Sequence, residues 1–247
     1  MLLRWLLAAL AFSTGSAYAQ EPPARALPNE STFFSSPGAH FNVLFEGPAD
    51  ETLARRAVDL LDEAYYNIGT ALYTFPDRVI TVILYTQEQF RDVTRSPDWA
   101  AAAYDGKIRV AMRGALEKPE ELKRVLTHEL THAMVQNIAP RGVPTWLHEG
   151  LAVYFEGNSG AWADQQLAAS PARLSLQQLS GSFAGLSTAD GRMAYAQSAV
   201  TVRRLIDTAG PDAVTAILHD LARGERLETA FEQRTLMPYM TLADLAR

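Results

Sequence analysis

Cysteine is absent from all 247 residues. That excludes a disulfide framework, a thiolate metal site and a lipid-modified N-terminal cysteine. Packing alone must hold the fold, and any metal must be held by histidine and carboxylate. Histidine is scarce, at His40, His128, His132, His148 and His219 only. No apolar run reaches the roughly 20 residues that a membrane-spanning helix needs. A basic surplus is missing too: 22 Lys and Arg face 28 Asp and Glu, for a formal net charge of −6. This argues against nucleic acid as a partner and provides no patch for a membrane surface. There is no internal repeat and no low-complexity tract.

The first residues present form a segment to set aside. In MLLRWLLAALAFSTGSAYAQ, Arg4 precedes an apolar core at 5–12, and a polar stretch then ends in AYA with small residues at Ala17 and Ala19. Residues 1–19 have the pattern of a secretory signal, cleaved after Ala19. The mature protein is then expected in a bacterial periplasm or outside the cell, with no stable membrane insertion. Residues 20–38 are rich in Pro, Ser and Ala without periodicity and read as an extended or disordered lead-in. Residues 39–247 are long enough for a single domain with its own core.

Periodicity orders that domain. HFNVLFEG alternates, with Phe41, Val43 and Phe45 on one face of a strand. Residues 50–73 carry Leu53, Ala57, Leu60, Leu61, Ala64 and Ile68 at helical spacing, and Pro76 ends the pattern. RVITVILY is β-branched and apolar on both faces, as a central strand is. TQEQFRDVT predicts a short helix capped by Thr86. In AAAYDGKIRVAMR a turn at Asp105-Gly106 leads into a strand, with Ile108, Val110 and Met112 inward. Lys107, Arg109 and Arg113 would face out and guard a sheet edge. After Pro119 the pattern is helical: a helix through residues 125–136, a break at 139–144, a second helix capped by Thr145 and ending at Phe155, then helices near 174–179, 193–208 and 212–223. The fold class is therefore α+β, with a small mixed sheet lobe (39–117) against a mainly helical C-terminal lobe (118–247).

One stretch carries chemistry. VLTHELTHAMVQ sets His128 and His132 four apart, one turn along a single helix face, with Glu129 directly after the first. Both rings can address one ion, and Glu129 lies beside it without being the obvious ligand. This is the HExxH pattern of metal-assisted hydrolysis. The plain alternative is a helix that happens to carry two hydrogen-bonded histidines. Apolar flanks weigh against that, because they would bury Glu129, and an unpaired buried carboxylate is costly. A catalytic zinc needs a third protein ligand. One extended motif would place glycine at 135 and histidine at 138, but Val135 and Ile138 stand there. The next helix, WLHEGLAVYFEG, supplies Glu149, with Glu156 a weaker candidate. His148 should point away along the helix in a capping or surface role, and His219 should be solvated or capping. His40 has no evident partner.

LTHELTHAMV followed by VPTWLHEGLAVYFEG resembles the gluzincin metallopeptidases, most closely the peptidase MA-like domains. The resemblance implies a zincin-like fold with the active-site cleft between the lobes. It implies one zinc per chain, held by His128, His132 and Glu149, and Glu129 as general base toward a zinc-bound water. It also implies a donor to the oxyanion, for which Tyr195 fits by position, and a substrate peptide lying along the strand before the motif helix, here Ile108, Arg109, Val110 and Ala111. Many members carry an acid four residues after the third ligand. Here that position is Val153, so the partner of His128 is unassigned. The function implied is an exported zinc metallopeptidase acting on peptide or protein substrates. Its rival is an inactive metallopeptidase-like module that binds a peptide or envelope partner.

Overall fold

The computed structural model describes residues 5–8, 28–94, 100–112, 117–157 and 159–246. Its architecture is mixed α+β, with strands and helices first and helices alone afterwards. Two units are distinguished. One comprises Met1–Glu63 and Asp77–Glu129, the other Ala64–Pro76 and Leu130–Arg247. Among the described residues no helix is long and apolar enough to cross a membrane.

The first unit holds the sheet. Its strands are β1 (Trp5–Ala8), β2 (Phe34–Pro37), β3 (Phe41–Phe45), β4 (Ile80–Tyr85), β5 (Ala100–Tyr104) and β6 (Ile108–Ala111), in the spatial order β1-β5-β6-β4-β3-β2. The pairs β3–β4 and β4–β6 are parallel and the others antiparallel. The alternation in β3 buries Phe41, Val43 and Phe45, as its pattern predicts. In β4, Val82, Ile83, Leu84 and Tyr85 are all fully buried, which is why both faces of that strand are apolar. Helix α1 (Glu51–Leu72) follows β3 and buries the residues that the helical spacing picks out. Helix α2 (Gln87–Thr94) is capped as expected. The Gln89 amide donates to Thr86 Oγ1 at 3.2 Å, and the Thr86 amide donates to Gln89 Oε1 at 2.9 Å. Gly106, at φ +100°, makes the β5–β6 turn.

Two expectations are overturned in this unit. Strand β6 is no edge. It pairs with β5 on one side, Ala103 opposite Arg109, and with β4 on the other, Ile83 opposite Arg109. All four residues of β6 are buried; Ile108, Arg109 and Val110 have both backbone edges engaged and Ala111 pairs with Tyr85 of β4, so a substrate cannot add along 108–110 as a further strand. The alanine run before the turn, weak in strand propensity, is itself a strand. Arg109 does not face out either. Its Nη1 donates to Glu30 Oε1 at 2.7 Å and to the Tyr85 hydroxyl at 2.5 Å, and its Nε lies 3.1 Å from Asp105 Oδ2. Arg113 lies outside the described residues. Of the two conditions expected for the lead-in, its later part takes the extended one: Phe34–Pro37 pairs with β3, and Glu30 reaches both Arg109 and Lys107, the latter at 2.8 Å. Burial pushes the Glu30 carboxyl up, but hydrogen bonds from Lys107, Tyr85 and Arg109 outweigh it and hold the pKa at about 2.

The second unit is helical. Helix α3 (Pro119–Ile138) runs into it, followed by α4 (Thr145–Phe155), α5 (Ser159–Ala169), α6 (Leu176–Ser180), α7 (Thr188–Ala209), α8 (Pro211–Ala222), α9 (Leu227–Thr235) and α10 (Thr241–Leu245). Helix α7 is the hub, with α4, α5, α8 and α10 packed on it. Helix α5, which the sequence pattern does not single out, buries Ala163 and Leu167 against Val153, Met193, Ala196 and Val200. Pro144, not Thr145, occupies the cap position of α4; Thr145 is the first helical residue and donates to Ser180 O at 3.4 Å.

Candidate metal centre

Helix α3 is buried all round from residue 125 to 135, and α4 from 145 to 153. Helices of that kind are ordinarily apolar throughout. These two instead carry His128, Glu129, His132, His148 and Glu149, each at most 3% exposed. One turn of α3 separates the two motif histidines. The break at 139–144, with Gly142 at φ +86° and Pro144 before the first turn of α4, lets the chain reverse. Glu149 then meets the histidines: one ligand atom from each of His128, His132 and Glu149 lies within 4.8 Å of the other two. His132 Nε2 is 3.6 Å from Glu149 Oε2, which identifies Nε2 as the ring atom facing the shared point.

The donor set fits a metal. Two imidazoles and one carboxylate that can converge on a point are the three protein ligands of a catalytic zinc. A dication there also answers the electrostatic problem. Burying the carboxylates of Glu129 and Glu149 in apolar helices costs several kcal/mol per charge without a compensating cation. Glu156 ends α4 outside this group.

The remaining expected residues are placed as follows. Tyr195, on α7, is partly buried and packs on the apolar cluster that contains Val153, with Phe183 edge-on at 5.5 Å. Val153 is thus a core residue in that cluster. His219 is exposed in the last turn of α8, as expected. His40 has a partner that the sequence does not reveal: its Nδ1 lies 3.2 Å from Asp62 Oδ1. His148 departs most from expectation. It does not point away to the surface but is buried, with its Nδ1 2.8 Å from His132 Nδ1. The missed signal was present in TWLHEGLAV, where His148 shares the face of Glu149 and Thr145 in a stretch that is otherwise apolar or glycine.

An α+β protein with two histidines and a glutamate gathered on consecutive buried helices belongs to the metallopeptidase-like class. The family model of the peptidase MA superfamily matches residues 74–237, and the chain belongs to that superfamily. That span contains all of α3 and α4. Membership points to a peptidase-type hydrolase. A search of curated proteins found no match.

Proposed function

We propose that the protein is an exported, zinc-dependent peptidase. One observation carries this: His128, His132 and Glu149 converge within 4.8 Å on two helices that are buried all round at 125–135 and 145–153, with Glu129 buried beside them. His128, His132 and Glu149 would hold the zinc, which when bound supplies a Lewis acid that polarises a peptide carbonyl and acidifies water. Glu129 is the base. Its carboxylate, fully buried next to His128, takes the proton of the attacking water and later delivers it to the leaving amine. The Tyr195 hydroxyl is proposed as donor to the oxyanion. The signal pattern at 1–19 supports export of a chain beginning at Gln20. The inactive-module reading leaves the buried Glu129 without a purpose and is not favoured.

The test is zinc content beside turnover of a quenched peptide library. The parent should hold about one zinc per chain, Glu149→Ala should lose it, and Glu129→Gln should keep it while turnover falls at least about 100-fold. Turnover retained by Glu129→Gln would remove Glu129 from the chemistry, and a parent without zinc would end the proposal.

A further inference from the structure

The two Nδ1 atoms of His132 and His148 face each other at 2.8 Å, with ring centroids 4.9 Å apart. A hydrogen bond of that kind needs one nitrogen to carry a proton and the other to offer a lone pair. Which is which follows if His132 ligates a metal through its opposite nitrogen. Nε2 faces Glu149 Oε2 at 3.6 Å, and a ring that ligates there must keep the Nε2 lone pair free. A neutral His132 then carries its proton on Nδ1 and donates it. His148 must accept at Nδ1, so its own proton sits on Nε2.

We infer that His148 is the positioning residue for the metal ligand His132. This rests on the metal-centre reading above and extends it to a residue outside the ligand set. The local geometry is economical. His148 and Glu149 are successive residues of α4, about 100° apart around its axis. They address opposite nitrogens of one ring: Glu149 stands on the Nε2 side and His148 on the Nδ1 side. A single helix therefore supplies one ligand and fixes the orientation and tautomer of another. With His148 only 3% exposed, water cannot readily replace the acceptor if the side chain is removed. Outer partners of this kind commonly change metal affinity by about 10–100-fold.

The experiment compares zinc affinity, by competition with a chelating dye, in the parent, His148→Phe and His148→Asn. Phenylalanine keeps the ring volume and removes the acceptor. Asparagine gives up volume but can present Oδ1 near the lost Nδ1. Expected is a zinc affinity about 10–100-fold weaker in His148→Phe and restored to within a few-fold by His148→Asn. The visible spectrum of the cobalt-substituted proteins should follow the same order, with His148→Asn resembling the parent. Far-ultraviolet circular dichroism of the metal-free forms checks that each is folded. Equal affinity in His148→Phe and parent overturns the inference, because ring packing alone would then suffice, as does a His148→Asn as weak as His148→Phe, because a returned acceptor would then restore nothing. If His148→Phe fails to fold, a His148→Asn that binds zinc more than about tenfold more weakly than the parent also overturns it. A parent that binds no zinc fails at an earlier step and refutes the metal-centre reading itself.

Discussion

Gly150 shows how one residue sets the position of its neighbour in the site. A Cβ built there would lie 2.5 Å from Ser198 O and 2.5 Å from Val202 Cγ2 on α7. One of those atoms is backbone, so no side-chain rotation relieves the clash. The glycine lets α4 approach α7 closely, and Glu149 and His148 precede it directly. Gly150→Ala should therefore destabilise the protein by about 2 kcal/mol, the usual scale for overpacking a tight contact. It should also weaken zinc binding, since α4 must move away from α7. Urea unfolding and zinc titration of this one variant check both effects. Unchanged stability would mean that the helices have slack at this point. Legibility at this scale was uneven. The gathering of His128, His132 and Glu149 could be expected because a metal-ligand pattern restricts both residue type and spacing. Gly150 and His148 could not, because what they touch lies on other parts of the chain: Ser198 is 48 positions away and His132 is 16.

At the scale of elements, what the sequence disclosed depended on how local the governing force was. Strands β3 and β4, helices α1 and α3 and the Thr86 cap follow from periodicity and capping within a few residues, and each forms where expected. Strands β2 and β5 do not. FSSP and AAAAY have little strand character of their own and are held by long-range pairing, β2 to β3 and β5 to β6. Missing β5 turned β6 into a supposed edge. Charge patterning misled in the same way, because the partner that makes Arg109 buriable is Glu30, 79 residues earlier. That pairing carries a prediction. The Glu30 carboxyl is held at about 2, below its ordinary 4.5. A lowered acid contributes stability that is complete above about pH 4.5 and lost as pH falls toward about 2. Solvent screening of this partly exposed pair cuts the full linkage value, so Glu30→Gln should cost about 1–2 kcal/mol at pH 7, and the gap to the parent should narrow steadily between pH 5 and pH 3. Urea denaturation at several pH values measures it; a gap that is constant over this range would show that Gln forfeits hydrogen bonding rather than charge.

For the whole molecule, the absence of cysteine leaves a bound metal as the strongest available tie between distant parts of the chain, since His128 and Glu149 are 21 residues apart. A ligand that binds the native state and not the unfolded one adds RT ln(1 + [L]/Kd), about 2.7 kcal/mol at a hundredfold excess over Kd. For a chain of this size each kcal/mol moves the melting temperature by about 2–4 °C, so zinc should raise it by about 5–10 °C over the chelator-treated protein. The variants separate metal binding from chemistry. Glu129→Gln should keep the full shift, because Glu129 is the proposed base and not a ligand. Glu149→Ala should lose most of it. Calorimetry with and without chelator on the three proteins decides the matter. A parent whose melting temperature ignores chelator and zinc alike would mean that the His128, His132 and Glu149 cluster holds no ion in solution. The burial of two carboxylates in α3 and α4 would then need a different counter-charge.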